Sequence, residues 1–392
     1  DGLVDTYISR GGLRGKMDRA WPEAEDELLI NDAVSYQDHA ISAGFRKNSC
    51  PGRQVSWVDY DGDGMADLYL VCGRGKGADY KTPNQLYRQK SPGKFVNVAD
   101  SAGLDMNEIG TFVWLDVDND RDQDMLWSGK SGFRLYRNEK GKFHKHKIIG
   151  DYKGKRASRL SVSDYDNNGY LDVFAVSKKE NYILRNESGQ FEIIKASKLG
   201  LPSNSLSGGW LDYDNDGLID FHSIPSGLYR QSADQSFNLV RNSEAPGNIS
   251  EARVSWADLD NDGELEQILA ALYGPAHTSG MEGGEGKYKP SSKLWRLKVL
   301  KNRGRIGHWL QVNFMSKDGG KCPLGARVEI TIEGEKRISQ AGHAEGSHYS
   351  QGHYRVYFGL GENDSIDNLR VLWSDGSVLE MSDLEADQVL NL

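Results

Sequence analysis

The chain has 392 residues, 38% hydrophobic and 27% charged, with 45 glycines and a formal net charge of −9. That length and composition suit a globular, turn-rich chain of two or three domains, or one large β-domain plus a small one. They exclude a basic nucleic-acid-binding face. No apolar run reaches the roughly 18 residues of a membrane-spanning helix, and three cysteines are too few for a disulfide scaffold.

At the start, DGLVD matches DGLID at Asp216–Asp220, which puts Asp1 at the fifth place of an acidic loop. The expectation is a longer gene product, with the loop's first four residues, and a further unit, upstream. No basic start or apolar core of a signal peptide shows. A weak repeat copy, LLINDAVSYQDHAISAGF, begins at Leu28.

One stretch then recurs in register: WVDYDGDGMADLYLV from Trp57, WLDVDNDRDQDMLW from Trp114, VSDYDNNGYLDVFAV from Val162, WLDYDNDGLIDFHSI from Trp210 and WADLDNDGELEQILA from Trp256. Their first acids step by 57, 48, 48 and 46 residues. Between them run NQLYRQKSPGKFVNVADSAGL from Asn84, FRLYRNEKGKFHKHKIIG from Phe133, NYILRNESGQFEIIKASKLGL from Asn181 and GLYRQSADQSFNLV from Gly227. KLWRLKVLKNRG from Lys293 is a final half copy. Each unit reads as four short strands: one entering the acidic loop, one leaving it, one carrying LYRN, and one after a glycine turn. Four strands per 40 to 50 residues is the pattern of a β-propeller. The predicted fold is therefore all-β: a calcium-binding propeller over residues 1–300, with six visible units and a seventh expected, then a small β-sandwich-like domain over 301–392.

The acidic loops offer oxygen at positions 1, 3, 5 and 9, with position 7 available through its carbonyl. The predicted metal ligands are Asp59, Asp61, Asp63, Met65 and Asp67; Asp116, Asp118, Asp120, Asp122 and Asp124; and Asp164, Asp166, Asn168, Tyr170 and Asp172. The last two loops add Asp212, Asp214, Asp216, Leu218 and Asp220, then Asp258, Asp260, Asp262, Glu264 and Glu266. A hard cation that takes six to eight oxygens fits this set, and the lack of histidine and cysteine disfavours zinc or copper. Glycine at position 6 permits the sharp turn; the second of these loops carries Arg121 there instead. Position 12 is never glutamate and a strand follows, so these are not EF-hands. One such loop alone reads as an Asx-rich hairpin turn, but five in register favour calcium. The loops hold 21 of the 57 acids, so five Ca²⁺ would take the net charge from −9 to +1.

Cys50 and Cys72 flank the Asp59 loop, and a hairpin there would bring them together as a disulfide, leaving Cys322 over. GRGKGA at Gly73 lacks the Lys-Ser/Thr pair and helix of a phosphate loop. His343, His348 and His353 are spaced by five, but strand alternation would separate the first two. No nucleophile-elbow pattern accompanies Ser347 and His348. The sequons at Asn186, Asn248 and Asn363 occur near chance frequency. Residues 277–292 form a long glycine-rich segment, of the kind that carries function or serves as a linker.

The repeats resemble the FG-GAP/VCBS blades of integrin-α-like propellers over residues 1 to about 300. The end of the chain resembles the ASPIC/UnbV domain in His308–Trp309–Leu310, Gly325–Val328, Ser350–Gln351, Phe358–Gly361, Trp373 and Asp375–Gly376. Together they resemble the cartilage-acidic-protein family; the residues to Leu392 hold no EGF-like cysteine-rich segment such as the animal members carry, which suggests a bacterial or otherwise minimal version. The resemblance implies a secreted or cell-surface protein acting through protein or glycan contacts, with no nucleic-acid partner. An open strand edge in the first blade would also allow self-association. The rival expectation is a calcium-dependent lyase or cyclase with its site in the propeller channel.

Overall fold

A computed structural model describes residues 5–9, 26–45, 50, 52–73, 83–149, 156–177, 179–243, 249–273, 294–302, 307–314, 321–343 and 354–392. Six antiparallel sheets follow one another in chain order. The first holds β1 (Thr6–Ile8), β2 (Glu27–Asn31) and β3 (Tyr36–Asp38). The second holds β4 (Gly52–Val58), β5 (Asp67–Cys72), β6 (Gln85–Ser91) and β7 (Lys94–Asn97). β8 (Thr111–Leu115), β9 (Asp124–Gly129), β10 (Gly132–Glu139) and β11 (Lys142–Ile148) form the third. β12 (Arg159–Ser163), β13 (Asp172–Val176), β14 (Tyr182–Glu187) and β15 (Gln190–Lys195) form the fourth. β16 (Ser207–Leu211), β17 (Asp220–Ile224), β18 (Gly227–Gln231) and β19 (Phe237–Asn242) form the fifth. The sixth has β20 (Ile249–Ala257), β21 (Glu266–Tyr273) and β22 (Leu294–Leu300).

This is the propeller-like repeat expected from the sequence, with each sheet a blade. The first strands of successive blades are neighbours: Gln54 on β4 exchanges hydrogen bonds with the backbone of Phe112 on β8, and β12 lies between β8 and β16. Arg159 on β12 reaches the carbonyls of Leu206 and Ala252, beside and within the next two blades. Second strands read as apolar runs because both faces are covered; every residue of β5, β9, β13 and β17 is buried. The cores lie between blades. Leu126, Phe133 and Leu135 of the third pack on Leu160, Val162 and Val173 of the fourth. Phe174 and Ile183 of the fourth pack on Trp210, Phe221 and Tyr229 of the fifth. At about 1.5–3 kcal/mol per buried side chain, this is where the blades gain most of their apolar stabilisation.

Short turns after β3, β7 and β15 end at left-handed Gly44, Gly103 and Gly200. A Cβ at these positions would stand 2.3, 2.7 and 2.2 Å from the carbonyl oxygens of Phe95, Phe143 and Phe237 in the following blade, so only glycine allows the close approach. Cys50 and Cys72 form the expected disulfide, with Cα atoms 5.5 Å apart.

The C-terminal part is a two-sheet sandwich. β23 (His308–Asn313) lies between β26 (Arg355–Gly361) and β29 (Gln388–Asn391). The other sheet is ordered β25 (Glu335–Gln340), β24 (Arg327–Ile332), β27 (Ser365–Leu372), β28 (Val378–Glu385). Leu310, Val312, Val328, Ile330, Phe358 and Leu369 fill the space between the sheets.

Candidate metal centres

Each acidic loop joins the first and second strands of its blade and is shaped by its own first carboxylate. Asp59 accepts the N–H groups of Asp63 and Gly64, both at 3.1 Å. Asp116, Asp164, Asp212 and Asp258 do the same with the residues four and five places on, at 2.8–3.2 Å. The fifth-position side chain then accepts the seventh residue's N–H, as from Met65 to Asp63 at 3.0 Å and Tyr170 to Asn168 at 2.8 Å. Two left-handed residues close the turn. Position 6 is one of them, and Arg121 adopts it at φ 78°, matching Gly64 at 81°. The other is position 4, held by Gly62, Asn119, Asn167, Asn215 and Asn261 with φ between 53° and 68°. Gly and Asn tolerate that region best.

The ninth carboxylate opens the second strand and ties the loop to the third. Asp67 accepts the N–H groups of Tyr60 at 3.4 Å and Gln89 at 2.7 Å. Asp124, Asp172 and Asp220 repeat this with Val117 and Asn138, Tyr165 and Asn186, and Tyr213 and Gln231.

Four loops thereby gather positions 1, 3 and 9: Asp59, Asp61 and Asp67; Asp116, Asp118 and Asp124; Asp164, Asp166 and Asp172; Asp212, Asp214 and Asp220. Within each group one oxygen per residue lies within 4.8 Å of the others. Asp63, Asp120 and Asp216 at position 5 stand outside these tightest groups, and at the same position Asn168 donates to the carbonyl of Asn186. The Asp258 loop instead gathers Asp258, Asp260 and Asp262.

Burial makes these carboxylates expensive to ionise. Desolvation pushes Asp59 and Asp116 up to about 6, Asp164 to about 7, and Asp67, Asp124 and Asp212 to about 8. It raises Asp220 to about 9, with Asp212 adding to the effect. Oδ1 of Asp61, Asp118, Asp166 and Asp214, the third position of four loops, is buried with no hydrogen-bond partner, as is Oε1 of Glu266. A buried anionic oxygen without a partner is costly. The same orphan at the same position of four blades is what a hard cation would satisfy, and these clusters can hold metal ions.

Two recurrent features were not anticipated from the sequence. The amide after the third-strand basic residue reaches back across the blade boundary. Asn138 donates to Tyr60 O at 2.7 Å, Asn186 to Val117 O at 2.8 Å, Gln231 to Tyr165 O at 2.9 Å and Asn302 to Tyr213 O at 2.7 Å. The acceptor is always the second residue of the preceding loop. At position 4, Asn119, Asn167 and Asn215 donate forward to Gly169 O, Gly217 O and Gly263 O. The repeated N or Q after LYR was the available signal.

The C-terminal sandwich sits on this face and touches each of the five described acidic loops. Ser374 donates to Asp59 at 2.6 Å, and Gln340 accepts the Asp116 N–H at 3.3 Å. Arg327 bonds Asn119 and Gly169 O, and Arg337 stands beside Asp212 and Asp216. Gly307 and Gly361 donate to the carbonyls of Asp214 and Asn215, both at 2.8 Å. Gln311 bonds Asp258, Arg355 bonds Asn261 at 2.7 Å, and Trp309 covers Gly263.

Of the remaining sequence candidates, half-buried His343 is bonded to Gln340 O; desolvation of its ring holds it below the usual imidazole range, against the raising effect of that bond. His348, His353, Ser347, Ser350, Gln351, Asn248, most of GRGKGA and residues 277–292 lie outside the described residues. Asn186 is fully buried, so its sequon is closed to glycosylation.

The FG-GAP-like repeat profile matches residues 59–127, 116–175 and 164–223, and the ASPIC and UnbV profile matches residues 319–392. Cartilage acidic protein 1 of Homo sapiens is 23% identical over 376 residues, covering 91% of this chain and 46% of that protein. The Xenopus tropicalis protein of the same name is 23% identical over 329 residues, covering 78% and 40%. The chain thus spans less than half the length of these relatives. A lectin of Agrocybe aegerita that recognises terminal N-acetylglucosamine superposes with a TM-score of 0.44 at 14% identity, covering 89% of this chain and 93% of the lectin. The V. cholerae biofilm matrix protein Bap1 does so at 0.37 and 10%, covering 97% and 62%. Both are distant likenesses.

Proposed function

Because this chain carries FG-GAP-like repeats and ends in an ASPIC and UnbV domain, we propose that it is a calcium-stabilised extracellular binding protein, with its two parts meeting near residue 300. The observation that carries the metal reading is the buried third-position oxygen left without a partner in four consecutive blades. Asp59, Asp61, Asp63 and Asp67 with the Met65 carbonyl, and their counterparts in the other four loops, would hold the ion. The cation would neutralise the carboxylates and fix the loop between its first and second strands. The disulfide supports an oxidising compartment.

The placement of the sandwich bears on where a partner docks. It covers the acidic-loop face, so contact with a protein or glycan is assigned to the opposite face. The second strands run away from the acidic loops, so the ends of β9, β13 and β17 lie there. Calcium therefore acts on binding at a distance, by keeping the blades in register. The test is binding of the immobilised chain to a glycan array and to cell-surface extracts, in calcium and in EDTA. Binding that survives substitution of exposed sandwich residues but is lost in EDTA supports the reading. Binding insensitive to EDTA contradicts it.

A further inference from the structure

Each of the five described acidic loops carries a basic side chain from its own blade, on the third strand in four and one residue past it, at Lys301, in the last. Arg88 lies 2.5 Å from Asp61 and 3.0 Å from Asp63. Arg137 pairs with Asp118 and stands 3.8 Å from Asp124. Arg185 lies 3.4 Å from Asp166. Arg230 lies 2.9 Å from Asp214 and 2.8 Å from Asp216. In the last loop Lys301 donates to Asp260 and Asp262, both at 2.7 Å. The partner atom at position 3 is always Oδ2. In the four arginine loops the other oxygen of that carboxylate, Oδ1, is the buried one without a partner. Asp166, with its side chain 4% exposed, shows the division most clearly. In the lysine loop the unpartnered buried oxygen is Glu266 Oε1.

We propose that this base is a tethered counterion that sets how tightly its loop binds a divalent cation. The proposal rests on the reading of the loops as calcium sites. The charges give its sense. The Asp59 loop has four carboxylates, so a divalent ion would leave −2, and Arg88 reduces that to −1. Without the ion, the base is the cation nearest the carboxylates and limits their mutual repulsion. With the ion, it repels the ion across the shared carboxylate. The base thus supports the metal-free loop and weakens metal binding. Opposite signs in the two states separate this role from that of a packing residue, whose loss would harm both.

The last loop is the sharpest case. Its ammonium bonds positions 3 and 5 together, and Asp260 and Asp262 are 55% and 39% exposed. Lys301 thereby makes this loop the weakest of the five for calcium.

The experiment uses the full chain and its Lys301→Gln and Lys301→Arg variants. Calcium binding is followed by calorimetric titration with CaCl₂, and thermal unfolding is measured in EDTA. In Lys301→Gln the weakest binding step tightens about three- to tenfold, while the melting temperature in EDTA falls. Lys301→Arg keeps both at the parental values. If Lys301→Gln weakens calcium binding or leaves it unchanged while the parent binds calcium, the counterion role is wrong and the calcium reading stands. If no form takes up calcium, both fall. Should Lys301→Gln fail to fold, Arg230→Gln on β18 repeats the test with the same expected signs.

Discussion

Replacing Asn186 by alanine tests the coupling between blades. Asn186 is fully buried. Its amide donates to Val117 O of the preceding blade at 2.8 Å and to Leu171 O at 3.1 Å, and accepts the Gly189 N–H at 2.9 Å. Alanine removes all three bonds and strands two carbonyls and an N–H. Each buried group left unpaired costs about 1–3 kcal/mol. A carbonyl bonded elsewhere loses less, so the expected total is about 3 kcal/mol. With an unfolding entropy of about 2.1 cal/mol/K per residue, a chain this long has roughly 0.8 kcal/mol/K. The melting temperature should fall by about 4 °C. Differential scanning calorimetry at saturating calcium measures this, with exposed Asn204→Ala as control, expected within about 1 °C of the parent. If Asn186→Ala behaves like the control, the reach-back amides are not structural links.

Reducing the Cys50–Cys72 bond, which closes a separation of 22 residues, should cost about 3 kcal/mol, read as a melting shift of about 4 °C in dithiothreitol at fixed calcium. Gly263→Ala places a Cβ in a left-handed residue, 2.0 Å from the Trp309 indole nitrogen; it should cost about 2–3 kcal/mol and shift Trp fluorescence as the sandwich lifts from that loop. The pH dependence should reverse with metal. Asp67, Asp124 and Asp212 hold their protons up to about pH 8 when metal-free, against an ordinary value of 3.8. The metal-free fold binds protons more tightly than the unfolded chain, so its stability declines as pH rises from about 4 to 8. In excess calcium the carboxylates are held ionised, and stability declines on acidification instead. Melting curves at pH 5 and 8, with and without EDTA, check both signs.

Much of the architecture was legible because it repeats. Asp-x-Asp-x-Asp-Gly between apolar runs marks a hairpin whose side chains must converge, and three exact copies with two close variants, at Asn168 and Arg121, set the blade register. The flanking cysteines were legible for a similar local reason. What escaped depends on neighbours in space. Arg121 looked like an exception, yet Asp116 holds its N–H at 2.9 Å and imposes the same turn that glycine adopts elsewhere. Asn138 and Asn186 resemble ordinary strand-end residues until the preceding blade is beside them. The seating of Ser374, Gln340, Arg327 and Gln311 on the loops joins residues more than 50 positions apart, and no local pattern encodes it. One-turn helices at Ala40–Ala43 and Ala99–Ala102 were hidden because four residues carry no helical period.

The central claim is that the acidic loops are calcium sites that hold the blades together. The most direct measurement is bound calcium per chain by elemental analysis after gel filtration, paired with thermal unfolding in calcium and in EDTA. The account predicts four to five ions per chain and a melting temperature that falls by well over 10 °C when they are removed, since each site adds RT ln(1 + [Ca²⁺]/Kd). Fewer than one ion per chain, or the same melting temperature in both buffers, would contradict it.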